Sequence, residues 1–316
     1  MKLHQLQALL ALADEGGIRA AARALDLSQA AVTKALRELE AEQELTLISR
    51  HAGGARLTQA GQRLLPHARL IVSQLEKARG DLASLRGETP EKLCIGITPW
   101  LGQTLLAPTV ANFREFMPGV RLELYEGLLA VSLPLLRNGR MNFSVGPTAP
   151  LPAQEFLHEP LARYPMKVVA AKSHPRLGAR SLGELLEQDW VVNYAATSQP
   201  RLMEELFGRH GHAISAERVL CAQSSTLLSS MIVDGGMLGY SPEPMLLCEP
   251  LRSQAQALQL DEALGEGDMS VIWLRDQALD QASLCFIDCL RRTLKACVRS
   301  PQGENRRLAA MLNLQF

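Results

Sequence analysis

Gln29, Ala30, Thr33, Lys34 and Arg37 are spaced to share one face of a helix, and their chemistry suits the floor of a DNA major groove. Glutamine can pair in bidentate fashion with an adenine edge, and threonine can hydrogen-bond a base or touch a thymine methyl. Alanine avoids a clash, and lysine and arginine reach phosphate or guanine. The opposite face is apolar, with Val32, Leu36 and Leu39 at spacings of four and three. Ser28 is a favoured N-cap, so the spacing predicts a helix from about Gln29. Ahead of it Ile18, Ala21, Ala22 and Leu25 line one face of a shorter helix, with Arg19 and Arg23 on the other. The turn Asp26-Leu27-Ser28 joins the two helices, and Leu27 is expected to fill the gap between them. Spacing alone fits an ordinary helical hairpin with a solvated face equally well.

The flanking elements favour DNA. A helix is expected over Leu3 to Asp14. After the second helix, Leu45 to Arg50, a glycine-rich tip His51 to Ala55 and Arg56 to Thr58 read as a small hairpin. It carries Arg50 and Arg56 on its two arms, placed for phosphate or a minor groove. From the cap Thr58 onward, Leu64, Ala68, Ile71, Leu75, Ala78, Leu82 and Leu85 alternate spacings of four and three. That repeat of roughly 3.5 residues is a coiled-coil seam and predicts a dimer, although the seam could instead bury against the chain's own second domain. Pro66 is tolerable if the helix proper starts near Leu64 or bends there, and Gly87 with Pro90 is expected to close it. A two-fold protein reads a pseudo-palindrome.

Several stretches together resemble LysR-type transcriptional regulators: Leu3-His4-Gln5-Leu6, Arg19-Ala20-Ala21-Ala22, Leu27-Ser28-Gln29-Ala30-Ala31-Val32-Thr33, Leu36, Leu39-Glu40 and Leu57-Thr58-Gln59-Ala60-Gly61. The resemblance implies an α/β protein with an N-terminal winged helix-turn-helix over 1–58 and a dimerising linker helix over 59–90. It further implies an effector domain over 91–298, built of two sub-domains like a periplasmic binding protein, and a homotetramer made of two dimers. Sub-domain I would take 91–162 and 268–298, and sub-domain II 163–267, with a tail at 299–316. The family usually has proline at the position of Ala30, serine at Thr33 and Gly17, and often arginine at Ala20. Arg19, next to the missing arginine, offers a substitute for it, which leaves that phosphate contact unassigned.

Composition agrees with two parts. The chain has 316 residues, 47% hydrophobic and 21% charged, and is formally neutral. Residues 1–90 hold 12 Lys and Arg against 10 Asp and Glu, so a positive field there must come from arrangement rather than bulk charge. That span has no Phe, Tyr or Trp, whereas all three tryptophans lie later. Neither a secretory leader nor an apolar run of about 18 residues is seen, which points to the cytoplasm and away from membranes. The six cysteines, Cys94, Cys221, Cys248, Cys285, Cys289 and Cys297, read as buried thiols. Cys285 and Cys289, one helical turn apart, keep a redox-sensing regulator open as an alternative. His210-Gly211-His212 reads as a surface turn rather than a metal site.

From Lys92 short apolar strands alternate with helices, which implies a parallel sheet with helices on its faces. Strands are expected at 93–98, 121–126, 142–146, 166–171, 190–194, 218–221, 237–240 and 269–274. Helices are expected at 102–117, 131–138, 199–210, 225–234 and 279–298. By the family's fold the chain crosses between sub-domains near Leu161 to Lys167 and returns near Gly265 to Met269, leaving a cleft. Ligands bind beyond the carboxyl ends of such strands. Those ends present Thr98, Pro99, Trp100, Gln103, Gly146, Thr148, Asn193, Tyr194, Gln223, Ser224, Ser225 and Tyr240. The hydroxyls and amides near helix starts fit a carboxylate or sulfonate, and Trp100, Tyr194 and Tyr240 could wall a flat ring. No cofactor is implied beyond this small, anionic effector. The expected partners are double-stranded DNA at a pseudo-palindromic promoter site, the effector, further copies of the chain and RNA polymerase. No nucleophile elbow, phosphate loop or metal cluster suggests an enzyme. A solute-binding protein would account for residues 92–298 but not for the first 90. In the tail, Leu308, Met311 and Leu312 form a short apolar face that suits either its own domain or a neighbour.

Overall fold

The computed structural model describes residues 1–51, 54–86, 91–127, 129–149, 151–193, 199–299, 303 and 305–316; of residues 50, 51, 54, 77, 81, 84 and 85 only the backbone is described. The chain divides into two compact units, Met1–Glu91 with Arg137–Arg140, and Lys92–Leu136 with Met141–Phe316.

In the first unit, helices α1 (Leu3–Glu15), α2 (Ile18–Ala24) and α3 (Gln29–Gln43) enclose an aliphatic core that includes Leu9, Ala21, Val32 and Leu39. Gly16, at φ 74°, ends α1 in the left-handed region, where glycine avoids the Cβ penalty. Helix α2 closes with a Schellman pair, Leu27 N–H to Ala22 O at 2.9 Å and Asp26 N–H to Arg23 O at 3.2 Å, with Asp26 at φ 53°. This cap leaves Leu27 50% exposed, so it does not fill the gap between the helices; Ala21, Ala22, Val32 and Leu36 do. Ser28 caps α3 by accepting the Ala31 N–H at 3.1 Å.

The wing is a two-stranded antiparallel hairpin, β1 (Ile48–His51) and β2 (Gly54–Leu57). Its first arm starts three residues later than expected, because the Glu40 carboxylate captures the N–H groups of Leu47 and Ile48 at 2.8 and 3.0 Å and ties the hairpin to α3. Thr58 donates to Thr46 O at 2.7 Å and accepts the Gly61 N–H at 3.2 Å, which starts α4 (Gln59–Leu85) directly behind the wing. A Cβ on Gly61 would stand 2.3 Å from Leu47 O, so this close approach needs glycine. Helix α4 thus begins earlier than Leu64, and Pro66 lies two turns inside it, where it supplies no N–H to the carbonyl of Gln62. The expected stop at Gly87 and Pro90 falls outside the described residues. Of the seam, Leu64 and Ala68 pack on the unit's core, while Ile71, Leu75, Ala78 and Leu82 are exposed.

The second unit is built on one continuous path of strands. Its elements in chain order are β3 (Lys92–Ile97), α5 (Pro99–Thr104), α6 (Leu106–Phe116), β4 (Arg121–Glu126), α7 (Leu129–Arg137), β5 (Phe143–Gly146), β6 (Phe156–Ala171), β7 (Trp190–Val192), α8 (Gln199–Leu206), β8 (Val219–Cys221), α9 (Ser225–Val233), β9 (Leu238–Pro242), α10 (Leu251–Gln254), β10 (Ala255–Ala257), β11 (Glu266–Leu274), α11 (Gln281–Arg299), α12 (Asn305–Met311) and β12 (Asn313–Leu314). The path runs β4-β3-β5-β11-β6-β9-β7-β8, with β10 and β12 paired to β6. Pairing is parallel within each half, at β4-β3-β5 and at β9-β7-β8. It is antiparallel where β6 and β11 cross between the halves, so the sheet is mixed rather than wholly parallel. The helix expected over 102–117 is broken at Leu105 into α5 and α6.

The tail docks on its own domain. Leu308 and Leu312 are buried in the main core, and β12 pairs Asn313 with Arg163 and Leu314 with Ala162 on β6. Lys295 Nζ and Arg291 Cζ stand 4.7 and 5.9 Å from the centre of the Phe316 ring.

Buried His174 accepts the Arg176 N–H on Nδ1 at 3.1 Å, and burial holds its pKa below the ordinary value. The stability it contributes is full above the unfolded pKa of about 6.5 and is lost as pH falls towards the depressed folded value. The melting temperature of the second unit is therefore expected to drop between pH 7 and 5, and to drop less steeply in His174→Gln. Equal slopes would remove this residue as the cause.

Candidate nucleic-acid interface and ligand pocket

On α3, Gln29, Ala30, Lys34 and Arg37 are exposed and Thr33 is half-buried, and with Glu38 all of them border one shallow concave strip. The strip is held from both ends. Ser28 fixes its start, and wholly buried Gln5 donates from Nε2 to Glu42 Oε1 at 3.0 Å, joining the start of α1 to the end of α3. Lys34 meets Glu38 at 3.8 Å, a solvated pair that holds the lysine only weakly. Arg56 is exposed on β2, in register with Ser49, and Arg50 pairs through its backbone with Ala55; the Arg50 side chain lies outside the described residues.

The second unit contains a pocket of about 430 Å³ beyond the carboxyl ends of β3, β5 and β7. Thr98, Pro99, Trp100, Asn193 and Tyr240 line it, as do Pro147 and Ser225. The other strand-end residues fall elsewhere. Gly146 is spent in the ladder opposite Ser270, and Gln103 is exposed on α5. Thr148 turns to Asp268, Gln223 donates to Cys221 Sγ at 3.3 Å, and Ser224 stands just ahead of α9 without lining the pocket. Tyr194 lies outside the described residues.

Several lining residues were not expected from the sequence: Tyr164 and Met166 on β6, Arg201 and Glu205 on α8, Arg209 just beyond it, and Gly265 to Asp268 at the start of β11. Burial raises the pKa of Tyr164 and pushes Tyr240 up to about 12, so both phenols are neutral donors. Tyr164 donates to Asp268 O at 2.8 Å and Tyr240 to Leu264 O at 2.9 Å. Trp100 meets Tyr164 edge-on, with ring centroids 5.5 Å apart. Of the lining charges, Arg201 pairs with Glu205 at 2.7 Å and Glu266 with Arg163 at 3.9 Å, while Asp268 is held by Thr148. Arg209 has no ion-pair partner among the described residues.

Residues 3–62 match the family described as the bacterial regulatory helix-turn-helix protein, lysR family, and residues 86–295 match the LysR substrate binding domain. The chain belongs to the LysR family of transcriptional regulators. A LysR-family relative, the HTH-type transcriptional regulator TdcA of Escherichia coli (strain K12), is 26% identical over 275 residues, covering 86% of this chain and 87% of that protein. GbpR of Azospirillum brasilense is 22% identical over 296 residues, covering 92% and 86%. Among solved structures, the LysR family regulator CbnR has a TM-score of 0.64 at 18% identity, covering 93% of this chain and 99% of its own. Full-length CbnR complexed with its target DNA gives 0.63 at 18%, covering 93% and 100%. These two share the fold. As a LysR-family member the chain is a DNA-binding transcriptional regulator with an effector-binding domain, and the relatives it matches are regulators rather than enzymes.

The cysteines depart from the expectation of uniform burial. Cys221 is exposed on edge strand β8 and Cys285 is half-buried. Burial pushes the thiols of Cys248 and Cys289 up to about 11, which keeps both protonated and unreactive near neutral pH. Among the described residues no three His, Cys, Asp or Glu side chains group to hold a metal, and no helix is long and apolar enough to cross a membrane.

Proposed function

We propose that this LysR-family regulator works in the cytoplasm as a homodimer that pairs into a homotetramer. It reads a pseudo-palindromic promoter through Gln29, Ala30, Thr33, Lys34, Arg37, Arg50 and Arg56, and acts on RNA polymerase there. Its effector is a small anion, an aromatic carboxylate or sulfonate, held in the pocket that Thr98, Trp100, Asn193 and Tyr240 line. The observation that carries the ligand class is Arg209, a lining cation without an ion-pair partner among the described residues, whereas the other lining arginine, Arg201, is already paired with Glu205. The Arg209 guanidinium is exposed at the pocket and offers a carboxylate or sulfonate two parallel N–H donors. Trp100 and Tyr240 supply the aromatic walls. Such a ligand alters transcription only by binding two arrangements of the assembly with different affinity.

Calorimetric titration with a panel of small carboxylates, sulfonates and their neutral amides tests the ligand class. Anions are expected to bind and amides not, and Arg209→Gln is expected to weaken the best anion by about 1.5–3 kcal/mol. Equal binding of both sets would overturn the assignment. On DNA, Gln29→Ala or Thr33→Ala is expected to cost about 1–3 kcal/mol on the cognate site and little on random duplex. Arg56→Ala is expected to weaken both alike and to lower the salt dependence. Gel shifts showing the reverse pattern would exchange these roles.

A further inference from the structure

Asp268, on the β11 wall of the pocket, makes contacts to two other walls at once. Its Oδ2 accepts the Thr148 hydroxyl at 2.7 Å and the Thr148 N–H at 3.1 Å, and its backbone carbonyl accepts the Tyr164 hydroxyl at 2.8 Å. Thr148 sits between Pro147 and Ala149, which line the pocket from the end of β5, and Tyr164 lines it from β6. One residue of β11 therefore ties the loop after β5 to both crossing strands. The neighbouring positions are built for the same contact. A Cβ on Gly267 would stand 2.4 Å from the Tyr164 ring, so only glycine lets that ring lie across β11. The ladder between β6 and β11 shifts register at Met269/Ser270. A bulge interrupts regular backbone pairing, and here side-chain bonds hold the strand beside it.

We infer that Asp268 is a positioning residue of the effector pocket: its carboxylate latches the loop of residues 147–149 to the crossing strands, so that this wall is set before the ligand arrives. A wall already in place spares the ligand the cost of ordering it. The latch rests on the pocket being the effector site, and two readouts keep the two ideas apart. The first is hydrogen exchange of peptides covering residues 145–149 in the full chain, and the second is calorimetric titration with benzoate. Asp268→Ala and Thr148→Val are each expected to speed exchange of that loop about tenfold and to weaken benzoate about tenfold, the worth of one charge-assisted hydrogen bond. The double variant is expected to be no worse than either single one. Asp268→Asn keeps an acceptor and is expected to restore most of the protection; with Thr148→Val it carries the test if Asp268→Ala does not fold. Unchanged loop exchange in Thr148→Val, or single effects that multiply in the double variant, would overturn the latch. Absence of benzoate binding to the parent protein would count against the aromatic carboxylate, while loop exchange would still decide the latch.

Discussion

Replacing Leu75 and Leu82 together by aspartate is expected to give a folded monomer that has lost tight binding to its promoter. Ile71, Leu75 and Leu82 are 46, 37 and 56% exposed in the single chain. They continue, at spacings of four and seven, the seam that Leu64 and Ala68 begin against the core of the first unit. Apolar side chains repeated along one helical face gain by entering the same face of a second copy, and two carboxylates placed there would be desolvated without partners. Each recognition helix alone reads one half-site; joining two makes the second contact intramolecular, an advantage of about 10²–10⁴ in affinity. Sedimentation should show one chain instead of two or four, gel shifts on the full site should weaken by that factor, and circular dichroism should stay close to that of the parent. A variant that still sediments as a dimer would exclude this face as the interface.

What the sequence makes legible follows from how local the cause is. Val32, Leu36 and Leu39 bury because the helical period puts them on one side, and Ser28 caps because its hydroxyl reaches the Ala31 N–H three residues on. Leu27 is misread because its direction depends on the left-handed Asp26 before it, a backbone choice that no apolar pattern reveals. Strand β6 is the largest gap. Only its last six residues look like a strand, whereas Phe156 to Pro165 carries His158, Glu159, Pro160, Arg163 and Pro165 and acquires its conformation from pairing with β11 more than 100 positions away. The pocket splits along the same line. Thr98, Pro99, Trp100 and Asn193 follow strands that declare themselves, and they line it. Tyr164, Met166, Gly267 and Asp268 enter through the crossing strands, and Arg209 enters through the turn after α8, so tertiary pairing alone brings them in.

Leu39→Ala separates the two units by stability. Leu39 is 0% exposed, in a core whose buried members all come from residues 6–72 and include none from the second unit. Removing its three distal carbons leaves a cavity that so small a core can only partly close, which costs about 2–5 kcal/mol. A unit this small has a total stability of the same order, so its fold is expected to be mostly lost near physiological temperature. Calorimetry of the parent chain should show two unfolding transitions, and in the variant the first-unit transition should fall well below its parent temperature or vanish, with the second unmoved. Promoter binding should disappear with the first transition, and anion binding in the pocket should keep its affinity, since that pocket is lined wholly by residues 98–268. A single transition shifted as a whole, with anion affinity falling alongside DNA affinity, would mean that the two cores unfold as one and that the division into separately stable units is wrong.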